Sequence, residues 1–164
     1  MVGLTRILVP HDFSATSDAA LRYAVALARQ FAAGLDFLYV GDRAREEHES
    51  EVPFAGDGQV AEDVKERLLR MLTPMDRVTL HPRFFVRAGT PAAEIVRFAA
   101  QQHADLIVMG THGRGFVAHM LMGSVAEQVV RTAPCPVLTV RHPGQAGEGI
   151  TVAVEALEAA RVGV

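Results

Sequence analysis

Short apolar runs alternate with stretches of helical period along most of this chain, and no other feature narrows its fold as much. Residues 6–10 (Arg-Ile-Leu-Val-Pro) read as a buried strand. A helix follows over 16–33, with Leu21, Ala24, Val25, Ala28 and Phe31 on its apolar stripe and Gly34 placed to cap its C-terminus. A second strand spans 35–40, and a second helix covers 59–72 with Val60, Val64, Leu68, Met71 and Leu72 on one face. The third strand lies within 78–87, where Pro82 argues for a sheet edge because proline has no N–H for a ladder. Gly89 turns the chain, Thr90 is placed to cap, and Pro91 suits the first position of a helix reaching 103. A fourth strand, 105–109, is apolar at four consecutive positions, as expected of a central strand covered on both faces. A helix over 124–132 and a strand over 136–140 complete the series. Five strands with helices between them predict an α/β fold with a doubly wound parallel sheet and helices on both faces.

The chain has 164 residues and is 49% hydrophobic, enough for one domain with a substantial core. Charged residues make up 21% and the formal net charge is −3, which argues against disorder and against a nucleic-acid partner. The basic residues are all arginine except Lys65 and form no block. The first residues lack the layout of a signal peptide, and no apolar stretch is long enough for a bilayer, so no membrane is expected. A single cysteine, Cys135, excludes an internal disulfide and fits a reducing cytoplasm. Between Pro134 and Pro136 it is expected to be a small buried thiol.

The fourth strand runs straight into Gly110-Thr-His-Gly113-Arg-Gly-Phe-Val-Ala-His-Met-Leu-Met-Gly123-Ser124, a Gly-x2-Gly-x9-Gly-Ser pattern. Strand, glycine-rich loop and helix start together bring backbone N–H groups to an anion. Without a Cβ at Gly110, Gly113 and Gly123, the backbone can approach a ribose or phosphate closely. A P-loop is excluded, because it needs Gly-x4-Gly-Lys-Ser/Thr and Lys65 lies outside any glycine loop. Gly113-Arg-Gly115-Phe-Val-Ala118 matches a dinucleotide fingerprint, but it follows a late strand. The next strand ends at Val140-Arg141-His142 without a ribose-binding acid. Nucleotide binding is therefore the reading, and a merely structural glycine connection is its competitor.

In order along the chain stand Ile-Leu-Val-Pro10-His-Asp12-Phe-Ser14, Gly89-Thr-Pro91, Asp105-Leu-Ile-Val-Met109-Gly110-Thr-His-Gly113-Arg-Gly and Leu-Met-Gly123-Ser124-Val-Ala-Glu. Together they resemble the universal stress protein family, and Pro134-Cys-Pro-Val-Leu-Thr-Val140 is similar to its usual ending. The resemblance spans about residues 3–142, which makes 1–142 the expected nucleotide-binding domain and 143–164 an extension. It implies a five-stranded, Rossmann-like sheet of order 3-2-1-4-5 whose crevice opens between strands 1 and 4. In ATP-binding members, residues matching Pro10, Asp12 and Val40 hold the adenosine. Those matching Met109, Gly110, Gly113, Arg114, Gly123, Ser124 and Val125 surround ribose and phosphates. Members that keep the glycine motif bind ATP and this chain keeps all of it, so the resemblance implies a cytoplasmic, ATP-binding stress-response protein. Arg114 is the only cation within the motif, with His112 and His119 beside it. Mg²⁺ or Mn²⁺ carried by the phosphates would fit, although no cluster has protein-only metal-ligand spacing. The competing role for Asp12 is a carboxylate capping Ala15 or Thr16.

No catalytic residue is assigned. There is no Gly-x-Ser-x-Gly elbow, Gly123-Ser124 fits a helix cap better than a nucleophile, and His11 reads as a surface histidine. Slow ATP hydrolysis or self-phosphorylation, which some family members show, is left open. The resemblance also implies a homodimer through the last strand, Val137–Val140, an exposed β-branched edge that a second copy would cover; a further protein partner is unnamed. A nucleotide-independent homodimer is the alternative reading. The acidic segment 41–58 begins beside Val40 and is expected to act as a lid. In the tail, Ile150, Val152 and Val154 alternate as in a strand, whereas 155–161 favour helix. The tail is expected to dock on its own domain or, preferably, across the dimer.

Overall fold

A computed structural model describes residues 3–41, 57–111, 122–141 and 150–153 (57–59 and 150–153 as backbone). Its strands are β1 (Arg6–Pro10), β2 (Gly34–Gly41), β3 (Arg83–Ala88), β4 (Leu106–Gly110), β5 (Val137–Val140) and β6 (Ile150–Ala153). The helices are α1 (Ala15–Phe31), α2 (Asp57–Arg70), α3 (Pro74–Thr79), α4 (Pro91–Gln101) and α5 (Ser124–Thr132). The sheet order is β3-β2-β1-β4-β5-β6, and the first five strands pair in parallel, in the order implied by the resemblance. β6 adds a sixth, antiparallel strand, pairing Val140 with Ile150 and Val137 with Ala153. The edge of β5 expected to await a second copy is thus occupied by the same chain. Of the two conformations considered for the start of the tail, residues 150–153 take the strand.

Side chains alternate across a strand, so β1 feeds two core layers at once. Ile7 and Val9 pack with Leu35 and Phe37 beneath Ala20, Ala24 and Ala28 of α1 and Val64 and Leu68 of α2. Leu8 points the other way, joining Leu38 and Ile107 beneath Ile95 and Phe98 of α4 and Val129 of α5. The alanine stripe of α1 is what lets that helix lie close on the central strands.

The structure moves several expected boundaries. Helix α1 ends at Phe31 because Ala32 takes the left-handed cap (φ 53°); Phe31 is 54% exposed and not part of the core stripe. Gly34 is not the cap but the first residue of β2, where a Cβ would lie 2.6 Å from Nη1 of Arg6. Met71 falls beyond α2 and is half-exposed. Part of the expected third strand is helical: Thr73 and Asp76 form a capping box around Pro74 that starts α3. Pro82 therefore precedes β3 and does not sit in it, although β3 is an edge strand. Thr90 stands at the N-cap of α4 without a side-chain cap bond.

Asp76 does more than cap. Its carboxylate is buried and accepts from Nε and Nη2 of Arg29 at 2.7 and 2.8 Å, joining α3 to the last turn of α1. The Arg29 hydrogen bonds, helped by Thr73 and opposed by burial, hold the carboxyl at about 2. A carboxylate depressed on folding stabilises above its unfolded value and loses that contribution as the pH falls through its folded value. With Arg29 half in water, the contribution is on the order of 1–2 kcal/mol. In urea titrations, the stability gap between wild type and Asp76→Asn should be full above pH 4 and close as the pH falls towards 2. A gap of constant size across that range would contradict the assignment.

Candidate functional site

From β1 the chain crosses through α1 to β2 on one side, and from β4 through α5 to β5 on the other. Where such connections diverge, their loops part and leave a crevice at the carboxyl ends of the two strands. Pro10 ends β1, and Met109 and Gly110 end β4; each of Pro10 and Met109 lies two residues past the paired Leu8 and Ile107. Met109 is buried in the α4–α5 layer, with Val40 and Val125 packed against that layer from β2 and α5. The structure thus places Pro10, Val40, Met109, Gly110 and Val125 at one end of the sheet, with Val40, Met109 and Val125 in one core layer. Gly113 and Arg114, with His112, His119 and all but the ends of the lid expected over 41–58, lie outside the described residues.

The loop after β1 is held by its own side chains. Ser14, not Asp12, is the N-cap of α1, accepting from the N–H of Ser17 at 3.3 Å. Asp12 stands one step back: its Oδ1 accepts from the N–H of Ser14 at 3.0 Å and from its hydroxyl at 2.6 Å. His11 departs from expectation altogether. Its side chain is fully buried, its N–H continues the β1–β2 pairing by donating to the carbonyl of Leu38, and its Nδ1 accepts from the N–H of Phe13. Nε2 faces Oδ1 of Asp18 at 3.2 Å. Burial pushes the imidazole below its usual value, against the raising pull of Asp18 and Asp12, and the Arg67 charge adds to the depression. A polar residue between proline and aspartate gives no sequence signal of this burial; the apolar Phe13 two residues on, which packs edge-on to its ring at 5.0 Å, is the nearest clue.

The glycines divide by role. Gly110 is not needed for ligand approach alone, because a Cβ there would lie 2.8 Å from the carbonyl carbon and Cβ of Thr16, in the first turn of α1. Gly110→Ala should push α1 off β4 and cost about 1–3 kcal/mol, read as a fall in melting temperature. An unchanged melting temperature would mean that α1 can yield freely. Gly123 is the N-cap of α5, in extended backbone (φ −72°, ψ 154°), with no side-chain cap bond and its N–H donated to the carbonyl of Thr111 at 2.6 Å. Ser124 is consequently the first helical residue, exposed, and not the cap. The start of α5 therefore presents its first-turn N–H groups beside the end of β4, where an anion is favoured. Away from the crevice, Cys135 is buried, and burial pushes its thiol up to about 11, which leaves it inert. No helix among the described residues is long and apolar enough to cross a membrane.

This combination, a doubly wound sheet whose loops part beside Gly110 and Gly123 at its switch point, defines an α/β class of architecture in which ligands sit at the carboxyl ends of the strands. The model of the universal stress protein family matches residues 3–141. Universal stress protein MJ0531 of Methanocaldococcus jannaschii is 36% identical over 150 residues, covering 84% of this chain and 82% of its own. The solved structure of MJ0577 from the same organism superposes with a TM-score of 0.72 at 30% identity, covering 88% of this chain and all of that one. A universal stress protein of Archaeoglobus fulgidus, solved in complex with dAMP, superposes with a TM-score of 0.57 at 20% identity, covering 85% and 99% of the two chains. The last is a likeness of fold alone. The chain belongs to the universal stress protein family.

Proposed function

We propose that this protein binds an adenine nucleotide, ATP in the first place, in the crevice between β1 and β4, and that the bound state governs its part in a stress response. One observation carries the reading: Asp12 follows the end of β1, β4 ends beside it at Gly110, and Gly123 at the uncapped start of α5 donates its N–H to the carbonyl of Thr111 just past that end. In this reading Asp12 accepts from ribose hydroxyls, Val40 offers backbone groups to the adenine edge, and Pro10 and Met109 wall the adenosine. Gly123, Ser124 and Val125 then meet the phosphates through the helix start, with Gly110, Gly113 and Arg114 completing the loop. Mg²⁺ or Mn²⁺ would arrive on the phosphates, and no protein residue is assigned to either. That a protein of this fold was solved with dAMP is in keeping with the proposal.

One observation favours the competing, nucleotide-independent reading: the packing against Thr16 accounts for Gly110 without any ligand. Mass spectrometry of small molecules retained by the purified protein, followed by calorimetry with ATP, ADP and AMP, separates the two. Retained or titratable adenine nucleotide is the expected result, and the absence of both would refute it. A time course of ADP formation then asks whether bound ATP is turned over. We further propose that the functional unit is a cytoplasmic homodimer of the 1–142 domain, with 143–164 as its extension. Pairing through Val137–Val140 requires β6 to yield that edge, so deleting 144–164 should strengthen self-association in sedimentation experiments.

A further inference from the structure

Phe13 is a non-glycine residue held at φ 62°, immediately after Asp12. An L side chain keeps a left-handed conformation only where its surroundings impose it. Three residues do so. The N–H of Phe13 donates to Nδ1 of buried His11 at 3.2 Å, and its ring packs edge-on against that imidazole. The ring also leans on Tyr39 of β2 at 5.8 Å. Over it lies the guanidinium of Arg67, 3.7 Å from the ring centroid and projecting from the exposed face of α2. Phe13 and Tyr39 belong to the α1–α2 layer, whereas Val40 and Met109 belong to the other one. The stack therefore lies behind the Asp12 loop, away from the adenosine walls.

We propose that Arg67 is a positioning residue: by stacking on Phe13 it clamps the corner that aims the Asp12 carboxylate, and so sets nucleotide affinity from outside the crevice. This rests on the nucleotide reading above. The clamp has two arms that help each other. Arg67 covers the ring, and its charge adds a smaller push to the burial that keeps His11 neutral, with Nδ1 accepting from the N–H of Phe13. Asp12 in turn aligns Ser14 and thereby the cap of α1, so a slackened corner loosens the carboxylate and the helix start together. The helix that carries Arg67 follows the 42–56 segment from the end of β2. A partner that moves α2 would thus alter ligand affinity without touching the ligand.

The test uses the full chain with Arg67→Met, Arg67→Lys, Phe13→Leu and the Arg67→Met/Phe13→Leu double variant. Amide exchange without nucleotide comes first. Arg67→Met should speed exchange at Phe13 and Ser14 by about three- to tenfold, while Arg67→Lys, which restores a cation over the ring, stays within about twofold of wild type. Calorimetry with ATP should show the same ordering, with Kd raised about three- to tenfold by Arg67→Met or Phe13→Leu and no further by the double variant. Unchanged exchange in Arg67→Met overturns the clamp. Faster exchange with an unchanged Kd overturns its link to the ligand. A Kd raised equally by Arg67→Lys and Arg67→Met overturns the role of the cation. Wild type that binds no ATP, ADP or AMP overturns the nucleotide reading and the coupling with it, whereas the exchange rates still decide the clamp by themselves.

Discussion

Replacing Arg83 by Met is expected to destabilise the protein by roughly 2–3 kcal/mol, because it leaves a buried carboxylate short of its main partner. The reason lies at the end of the sheet away from the crevice. Asp36 of β2 has a side chain only 1% exposed, and Arg83 grips both its oxygens, through Nε at 2.7 Å and Nη2 at 2.6 Å. Arg6 supplies only one longer contact at 3.2 Å. Without Arg83 the carboxylate stays in the core with a single partner on its far side. The reverse change should be milder. Asp36→Asn leaves two guanidinium groups that already reach water, 42% and 29% exposed, so about 1–2 kcal/mol is expected. An Asp36→Leu/Arg83→Met double variant should recover much of the loss, because apolar packing often matches a buried pair. Urea unfolding of the variants decides the matter. Equal losses from Arg83→Met and Asp36→Asn would show that the carboxylate escapes burial once its partner is gone.

That cluster also marks what the sequence could and could not disclose. The alternation of five strands with helices is legible in local signals, apolar runs of strand length and helical stripes between them, whereas the strand order came only with the family resemblance that the motifs carry. Asp36 gave no such signal, since its partners lie 30 and 47 residues away. The short helix α3 was lost for the opposite reason. Its signal, Thr73-Pro-Met-Asp76, is local and complete, and the strand expected within 78–87 overlaps its last two residues. Gly34 and Phe31 were misplaced because an alanine, Ala32, took the left-handed cap that glycine normally fills. At the candidate site, the sequence marked the glycines and Asp12 but could not separate their roles. Only the spatial neighbours do so: Thr16 behind Gly110, Ser14 against Asp12, and Thr111 under Gly123. His11 was misread because nothing adjacent in sequence shows that Asp18 and Arg67 close over it.

The division between glycines dictates how the nucleotide reading should be tested, and Gly123→Val is expected to weaken ATP binding by about 100-fold or more, at least about 2.7 kcal/mol. Gly110 would be a poor choice, since any side chain there collides with α1 and a lost ligand could not be told from a shifted helix. Gly123 sits instead at φ −72° and ψ 154°, backbone that valine adopts without strain, and the hydrogen bond from its N–H to Thr111 needs no particular side chain. The fold should therefore survive, with the melting temperature lowered only by the modest cost of valine at an N-cap. What changes is the mouth of the α5 N-terminus, where a branched apolar side chain replaces an opening to the first-turn N–H groups. A phosphate there would lose hydrogen-bond donors and gain a neighbour that cannot solvate it. Asp12→Ala is the complementary change, removing the proposed ribose acceptor and slackening Ser14, and its loss should be smaller because the proposed phosphate contacts would remain. Calorimetry with ATP on the three proteins, alongside melting curves, separates the cases. Equal affinity in wild type and Gly123→Val would move the ligand away from the start of α5 and return Gly123 to a purely structural role.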